Sequence, residues 1–161
     1  RLEAYQIPAD LIEIEITEGI FIDNIEDTVE LLSRIKELGI GISLDDFGTG
    51  YSSLSYLQVL PLTTLKIDKS FIANISSEQS KEADITNAIV SLVTKMGLDT
   101  IAEGVENPEQ LKVLEAINCK NIQGFLMGKP MGANLCERML AGDESAVLRS
   151  ENCTGSLLYT I

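Results

Sequence analysis

Ile40-Gly41-Ile42-Ser43-Leu44-Asp45-Asp46-Phe47-Gly48-Thr49-Gly50-Tyr51-Ser52-Ser53 is the stretch from which the rest of the chain can be read. Ile40, Ile42 and Leu44 recur at every second position, which predicts a strand with Gly41, Ser43 and Asp45 on its other face. Two carboxylates stand side by side at its carboxyl end, where they repel unless a cation or a proton comes between them. Gly48 and Gly50 allow a sharp bend, and Ser52-Ser53 can start a helix. A strand that ends in this way needs further groups from its neighbours, and the neighbours supply them.

On the amino-terminal side, Ile12, Ile14 and Ile16 alternate with Glu13, Glu15 and Thr17, which predicts a strand over 11–17. Leu31, Leu32, Ile35 and Leu38 then follow helical spacing, from an Asn24 cap to a stop at Gly39. Beyond the central stretch a short helix begins at Ser52 or Ser53 and stops at Pro61, and Thr64-Leu65-Lys66-Ile67-Asp68 alternates again. A longer helix covers 81–96 and closes at Gly97, followed by a fourth strand, Asp99-Thr100-Ile101-Ala102-Glu103. Asn107-Pro108 caps the next helix, which carries Leu111, Val113, Leu114 and Ile117. Asn121 to Phe125 is the fifth strand, and a last short helix spans 134–140. Five alternations of strand and helix predict α/β architecture built from βαβ units, and so a parallel sheet. No G-x-G-x-x-G follows any strand, and polar residues recur at strand ends, which favours a barrel over an open nucleotide-binding sheet.

Side-chain parity identifies the groups that share a rim. Isoleucines oppose Glu15 in the first strand, Ile42 and Leu44 oppose Asp45 in the second, Leu65 and Ile67 oppose Lys66 in the third, and Ile122 opposes Gln123 in the fifth. The fourth strand is less regular, because Ile101 shares parity with Glu103. If the apolar residues face outer helices, the polar set converges on the barrel mouth, where desolvating it without a functional return would be costly. Each residue alone has an ordinary reading. Glu15 can be a strand glutamate at the surface, Asp45-Asp46 a turn cap, and Lys66 an ion-pair partner of Asp45 or Asp68. Glu103 and Glu106 can be solvated charges at a helix start, and Gln123-Gly124 a tight turn.

Composition excludes several chemistries. The 161 residues are 45% hydrophobic with a net charge of −13, which fits a globular domain and opposes binding to a nucleic-acid polymer through its phosphates. No apolar run is long enough to span a membrane. The chain opens on Arg1 inside a periodic segment, which suggests a piece of a longer polypeptide. It has no histidine, so imidazole bases, serine–histidine triads and histidine zinc sites are ruled out. Cys119, Cys136 and Cys153 show no paired spacing, as suits a reducing cytosol. Lys66 within a barrel strand also leaves a Schiff-base aldolase open.

Taken together, Glu15-Ile16-Thr17-Glu18, the Asp45-to-Ser53 stretch, Leu65-Lys66-Ile67-Asp68, Ala102-Glu103-Gly104-Val105-Glu106 and Gln123-Gly124-Phe125 resemble the EAL-domain family. The resemblance runs from about Leu2 to Leu140. It implies a phosphodiesterase that hydrolyses cyclic di-GMP to linear pGpG, on a modified TIM-type (β/α)8 barrel of which this chain holds the carboxyl-terminal portion, about five strand–helix units. Residues 1–142 would then be a partial domain and 143–161 a tail. By position, the resemblance makes Glu15, Asp45, Asp46 and Glu103 ligands of a two-metal Mg2+ or Mn2+ site, with Asp45 the bridge. It also has Lys66 hold or deprotonate the attacking water, and Gln123 help to fix that water or the second metal's shell. Glu18 would anchor the Gly48-Thr49-Gly50 loop, and Glu106 would support the site. It further implies a homodimer through the domain and a cytoplasmic location, with any membrane anchor lying elsewhere in the parent. The Glu-Ala-Leu strand that names the family and the Asn ligand after it are absent from these residues, so a closed barrel requires an amino-terminal half and the fragment alone is expected to be inactive. The alternative is a receptor that binds cyclic di-GMP without turning it over.

Overall fold

The apolar positions that alternate along the sequence become the buried face of one five-stranded sheet in the computed structural model, which describes residues 2–21, 25–48, 54–75 and 77–142. The Asn24 cap, Thr49, Gly50, Tyr51, Ser52, Ser53, Cys153 and Leu157 lie outside the described residues. The elements follow in order as α1 (Leu2–Tyr5), β1 (Glu13–Thr17), α2 (Ile25–Glu37), β2 (Gly41–Phe47), α3 (Leu54–Val59), β3 (Thr64–Ile67), α4 (Lys69–Ile72), α5 (Lys81–Lys95), β4 (Asp99–Glu103), α6 (Pro108–Ala116), β5 (Asn121–Gln123) and α7 (Ala133–Leu140). Single 3-10 turns occupy Ala9–Leu11 and Glu18–Phe21.

All neighbouring strands pair in parallel, and the sheet order β1-β2-β3-β4-β5 is the sequence order. A sheet wound in one direction with a helix after each strand is barrel-like, because a doubly wound sheet would reverse its order partway. The fold is therefore α/β and parallel, with all five strand–helix units present among the described residues.

The register sorts the side chains. Ile14, Ile16, Ile42, Leu44, Leu65, Ile67, Ala102 and Ile122 are cross-strand neighbours on the helix-covered face. There they join Leu32 of α2, Val90 and Val93 of α5, and Val113 and Leu114 of α6 in the core. Glu15, Ser43, Asp45, Lys66, Ile101, Glu103 and Gln123 occupy the opposite face. The irregular fourth strand is thereby explained: Ile101 lies on the polar face beside Lys66, and it is Thr100 and Ala102 that are buried against the helices. The fifth strand is shorter than its pattern suggests, ending at Gln123, and the chain turns at Gly124.

The starts of α5 and α6 are both capped by side chains. Ser80 Oγ accepts from the Ala83 N–H at the start of α5. Asn107 and Gln110 form a reciprocal capping box at the start of α6, with Pro108 at its first turn. Cys119 is buried and Cys136 exposed, and both are free thiols.

Candidate metal centre

β3 is the middle strand and is buried along its whole length, so Lys66 has only 5% of its surface in contact with solvent. An ammonium group held there must be compensated, and three carboxylates from both flanking sides do so. Lys66 Nζ donates to Glu15 Oε1 at 2.9 Å and lies 3.2 Å from Asp45 Oδ1 and 2.8 Å from Glu103 Oε1. Burial by itself lowers the pKa of Lys66, but hydrogen bonds to Glu103 and Glu15 outweigh it, helped by the Glu103 charge and the Asp45 hydrogen bond. The net effect raises the pKa above the ordinary lysine value.

The pair Asp45-Asp46 faces a problem that alternation cannot solve: neighbours on a regular strand point to opposite faces. The register between β2 and β3 shifts between Leu44 and Phe47, so three steps along β2 match two along β3, from Leu65 to Ile67. Asp46 absorbs the extra residue with φ of 55°, in the left-handed region that Asp tolerates better than most residues. Leu44 and Phe47 consequently share the buried face although they are three residues apart, and the two aspartates are presented together. Asp45 Oδ1 also accepts from the Asp46 N–H at 3.0 Å, which fixes the turn.

One oxygen each from Asp45, Asp46 and Glu103 lies within 4.8 Å of the others, a group able to hold a metal ion. The donors are all carboxylate oxygens, the set that hard divalent cations prefer. Glu15 reaches this group through Lys66, and its own carboxylate is about half exposed (55%).

The remaining candidates divide. Glu18 Oε1 accepts from the Gly48 N–H at 3.2 Å, tying the turn after β1 to the turn after β2. Gln123 is the cross-strand neighbour of Glu103 and sits exposed on the same face. Glu106 is exposed and takes part through its backbone, its N–H donating to Gln110 Oε1 at 2.8 Å. Asp68 is not a partner of Lys66: it caps α4, accepting from the Ser70 N–H at 2.9 Å.

Close backbone approaches hold the rim together, and these were not evident from the motifs. A Cβ on Gly124 would lie 2.1 Å from the Val105 carbonyl oxygen, so only glycine fits there. The Val105 N–H donates to Gln123 O at 3.1 Å and the Leu126 N–H to Val105 O at 3.0 Å. The Glu103 turn and the Gln123 turn are thus bonded to each other directly.

Comparison with known proteins identifies the family. The EAL domain family matches residues 1–130, and the chain belongs to that family. It is 43% identical over 154 residues to the cyclic di-GMP phosphodiesterase NbdA of Pseudomonas aeruginosa, covering 94% of this chain and 20% of NbdA. Among solved structures it resembles the EAL domain of Mycobacterium smegmatis DcpA, with a TM-score of 0.83 and 36% identity over 88% of this chain and 63% of that one. It also resembles the PaMucR phosphodiesterase in its c-di-GMP complex, with a TM-score of 0.77 and 40% identity over 84% of this chain and 60% of that one. The chain spans about a fifth of the length of the curated relatives it matches. EAL domains are TIM-barrel-like, and the five parallel strands are the corresponding part of such a barrel. No described helix is long and apolar enough to cross a membrane.

Proposed function

We propose that this chain supplies the metal-binding and water-positioning part of a cyclic di-GMP phosphodiesterase, whose product is linear pGpG. The observation that carries the reading is the meeting of Asp45, Asp46 and Glu103 oxygens within 4.8 Å at one rim, beside a buried lysine. The substrate is taken from the similar proteins, the cyclic di-GMP phosphodiesterase NbdA and the PaMucR phosphodiesterase in its c-di-GMP complex.

Glu15, Asp45, Asp46 and Glu103 are the residues that would hold two Mg2+ or Mn2+ ions. Four carboxylates against one lysine leave about three negative charges, so two divalent cations would turn a site that repels phosphate into one that accepts it. Such ions, when bound, supply Lewis-acid stabilisation of the phosphodiester and acidify a water. Lys66 directs its three N–H groups at Glu15, Asp45 and Glu103, and an N–H released when those carboxylates hold metal would be free to donate to the attacking water. Gln123 offers an amide beside Glu103 to orient the same water. Glu18 holds the loop that begins at Gly48 and continues through Thr49 and Gly50, and Glu106 steadies the Glu103 turn through its bond to Gln110. In the overall step the water oxygen bonds to phosphorus as one phosphorus–ribose oxygen bond breaks, one water proton ends on the released 3′ hydroxyl, and the other stays on the new phosphomonoester or passes to solvent.

We assign the activity to the longer protein, working as a dimer, and not to the 161 residues alone. The sheet order leaves β1 and β5 as its edges, and a closed rim needs a strand beyond each. Full-length protein incubated with Mn2+ or Mg2+ and cyclic di-GMP is expected to release pGpG, resolved by anion-exchange chromatography. Asp45→Asn is expected to bring turnover below detection, and unchanged turnover would exclude the metal role. Tight binding without any turnover by the wild type would favour the receptor reading.

A further inference from the structure

We propose that Phe71 is a positioning residue for the metal centre, acting through α4 as a strut between the two turns that carry its ligands. The inference rests on the metal-site reading above and adds a residue that touches neither ligand nor substrate.

α4 begins one residue after β3, directly behind Lys66, and is fixed at both ends. Asp68 caps its start, and Ile72 is fully buried with its carbonyl accepting from Gln110 Nε2 at 3.1 Å. Residues two apart on a helix point roughly 200° apart, so Lys69 and Phe71 reach in opposite directions, one toward each neighbouring strand. Each meets a glycine with positive φ in the turn that follows a ligand-bearing strand end. A Cβ built on Gly48 (φ 96°) would lie 2.5 Å from both Cε2 and Cζ of Phe71. A Cβ built on Gly104 (φ 70°) would lie 2.5 Å from Cβ of Lys69. Gly48 comes two residues after Asp46, and Gly104 directly follows Glu103.

The tip of the Phe71 ring therefore rests against the backbone of the β2 turn, while the stem of Lys69 rests against the β4 turn. Asp46 sits in a left-handed conformation that regular strand pairing does not enforce, so contacts outside the ladder hold it, the bond from its own N–H to Asp45 Oδ1 among them. Glu18 does so from one side, through the Gly48 N–H, and the ring of Phe71 bears on the same glycine from α4. Removing the ring tip frees the turn to relax, and the Asp45-Asp46 pair loses its register against Glu103.

The test is Mn2+ affinity of the full-length protein, measured from the free Mn2+ signal by electron paramagnetic resonance, with far-ultraviolet circular dichroism as the check on folding. Phe71→Leu keeps an apolar side chain on α4 but cannot reach Gly48, and it is expected to weaken Mn2+ binding by about tenfold or more. Phe71→Met restores the reach and is expected to recover much of that loss. Gly48→Ala collides with the ring, so its effect and that of Phe71→Leu are expected to be non-additive in the double variant. Should Phe71→Leu fold poorly, Phe71→Ile, which likewise falls short of Gly48, carries the same contrast with Phe71→Met. A folded Phe71→Leu protein whose Mn2+ affinity changes by less than about threefold overturns the proposal. Because the readout is metal affinity, a wild type that binds Mn2+ without hydrolysing cyclic di-GMP counts against the phosphodiesterase reading alone.

Discussion

At the scale of single residues, the centre is a problem in electrostatics with a backbone solution. Lys66 is buried and bonded to three carboxylates, so replacing it with methionine leaves Glu15, Asp45 and Glu103 facing one another. Breaking a fully buried pair costs about 3–5 kcal/mol. Here the acids keep partial contact with water, so a loss of about 1–3 kcal/mol near neutral pH is expected in urea denaturation. That loss should shrink when Mn2+ is added, and a variant as stable as the wild type without metal would contradict the expected charge crowding. Asp46 allows a sharper separation of roles. Asn accepts the left-handed region nearly as well as Asp, whereas Ala does not, at a cost of about 1 kcal/mol. Asp46→Asn is therefore expected to unfold like the wild type yet bind Mn2+ weakly, while Asp46→Ala loses both; calorimetric Mn2+ titration alongside urea melts checks this. Glu15, Asp45, Asp46 and Lys66 were legible from alternation and from the acidic doublet, whereas Glu103, on a strand that breaks the alternation, entered through the family resemblance. Their geometry was not, because strict alternation sends Asp46 to the helix face, and only the cross-strand register shift between Leu44 and Phe47 brings it back.

At the scale of elements, what the sequence conceals is short. The long helices announce themselves by apolar spacing, and the Asn107–Gln110 capping box is visible as residue types. α4 has four residues, too few for any periodicity, and the sequence offered Asp68 as an ion-pair partner for Lys66, not as the cap it is. Its cap is nonetheless a measurable quantity. Burial pushes the Asp68 carboxyl up, but hydrogen bonds from the Ser70 side chain and backbone and from the Lys69 backbone, with the Lys69 charge, more than offset this and leave its pKa below the ordinary value. A carboxylate with a depressed folded-state pKa contributes stability that is complete above the unfolded value near 4 and fades as pH falls through the lower folded one. Asp68→Asn keeps a capping oxygen without the charge, and Asp68→Ala removes both. At pH 7 the alanine variant is expected to lose about 1 kcal/mol, and the difference between it and the wild type is expected to narrow below about pH 4. Urea denaturation at several pH values decides it; a gap that widens on acidification would contradict the sign. The shared-backbone latch between Val105 and Gly124 is the other element-scale feature that no pattern reveals, since it depends on two turns meeting in space.

At the scale of the whole molecule, strand order was foreseeable and closure is the open physical question. Five strand–helix alternations and polar strand ends point to a one-way parallel sheet, and the observed order matches. The same sequence carries a net charge of −13, with four carboxylates gathered at one rim, so divalent cations could stabilise it in two quite different ways. Diffuse screening of the surface would act through ionic strength alone, with a Debye length of about 10 Å at 0.1 M. A specific site acts by mass action and contributes about 2.7 kcal/mol when the free ion is 100-fold above its dissociation constant. For a domain of this size that corresponds to a rise of roughly 5–10 °C in the melting transition. Full-length protein is therefore expected to melt higher in millimolar Mn2+ than in NaCl of equal ionic strength, with chelator reversing the gain. Asp45→Asn, which alters the surface charge by a single unit, should respond to the two salts alike. If NaCl reproduced the Mn2+ effect in the wild type, the acidic rim would be a diffuse surface feature and the metal centre would have to be abandoned.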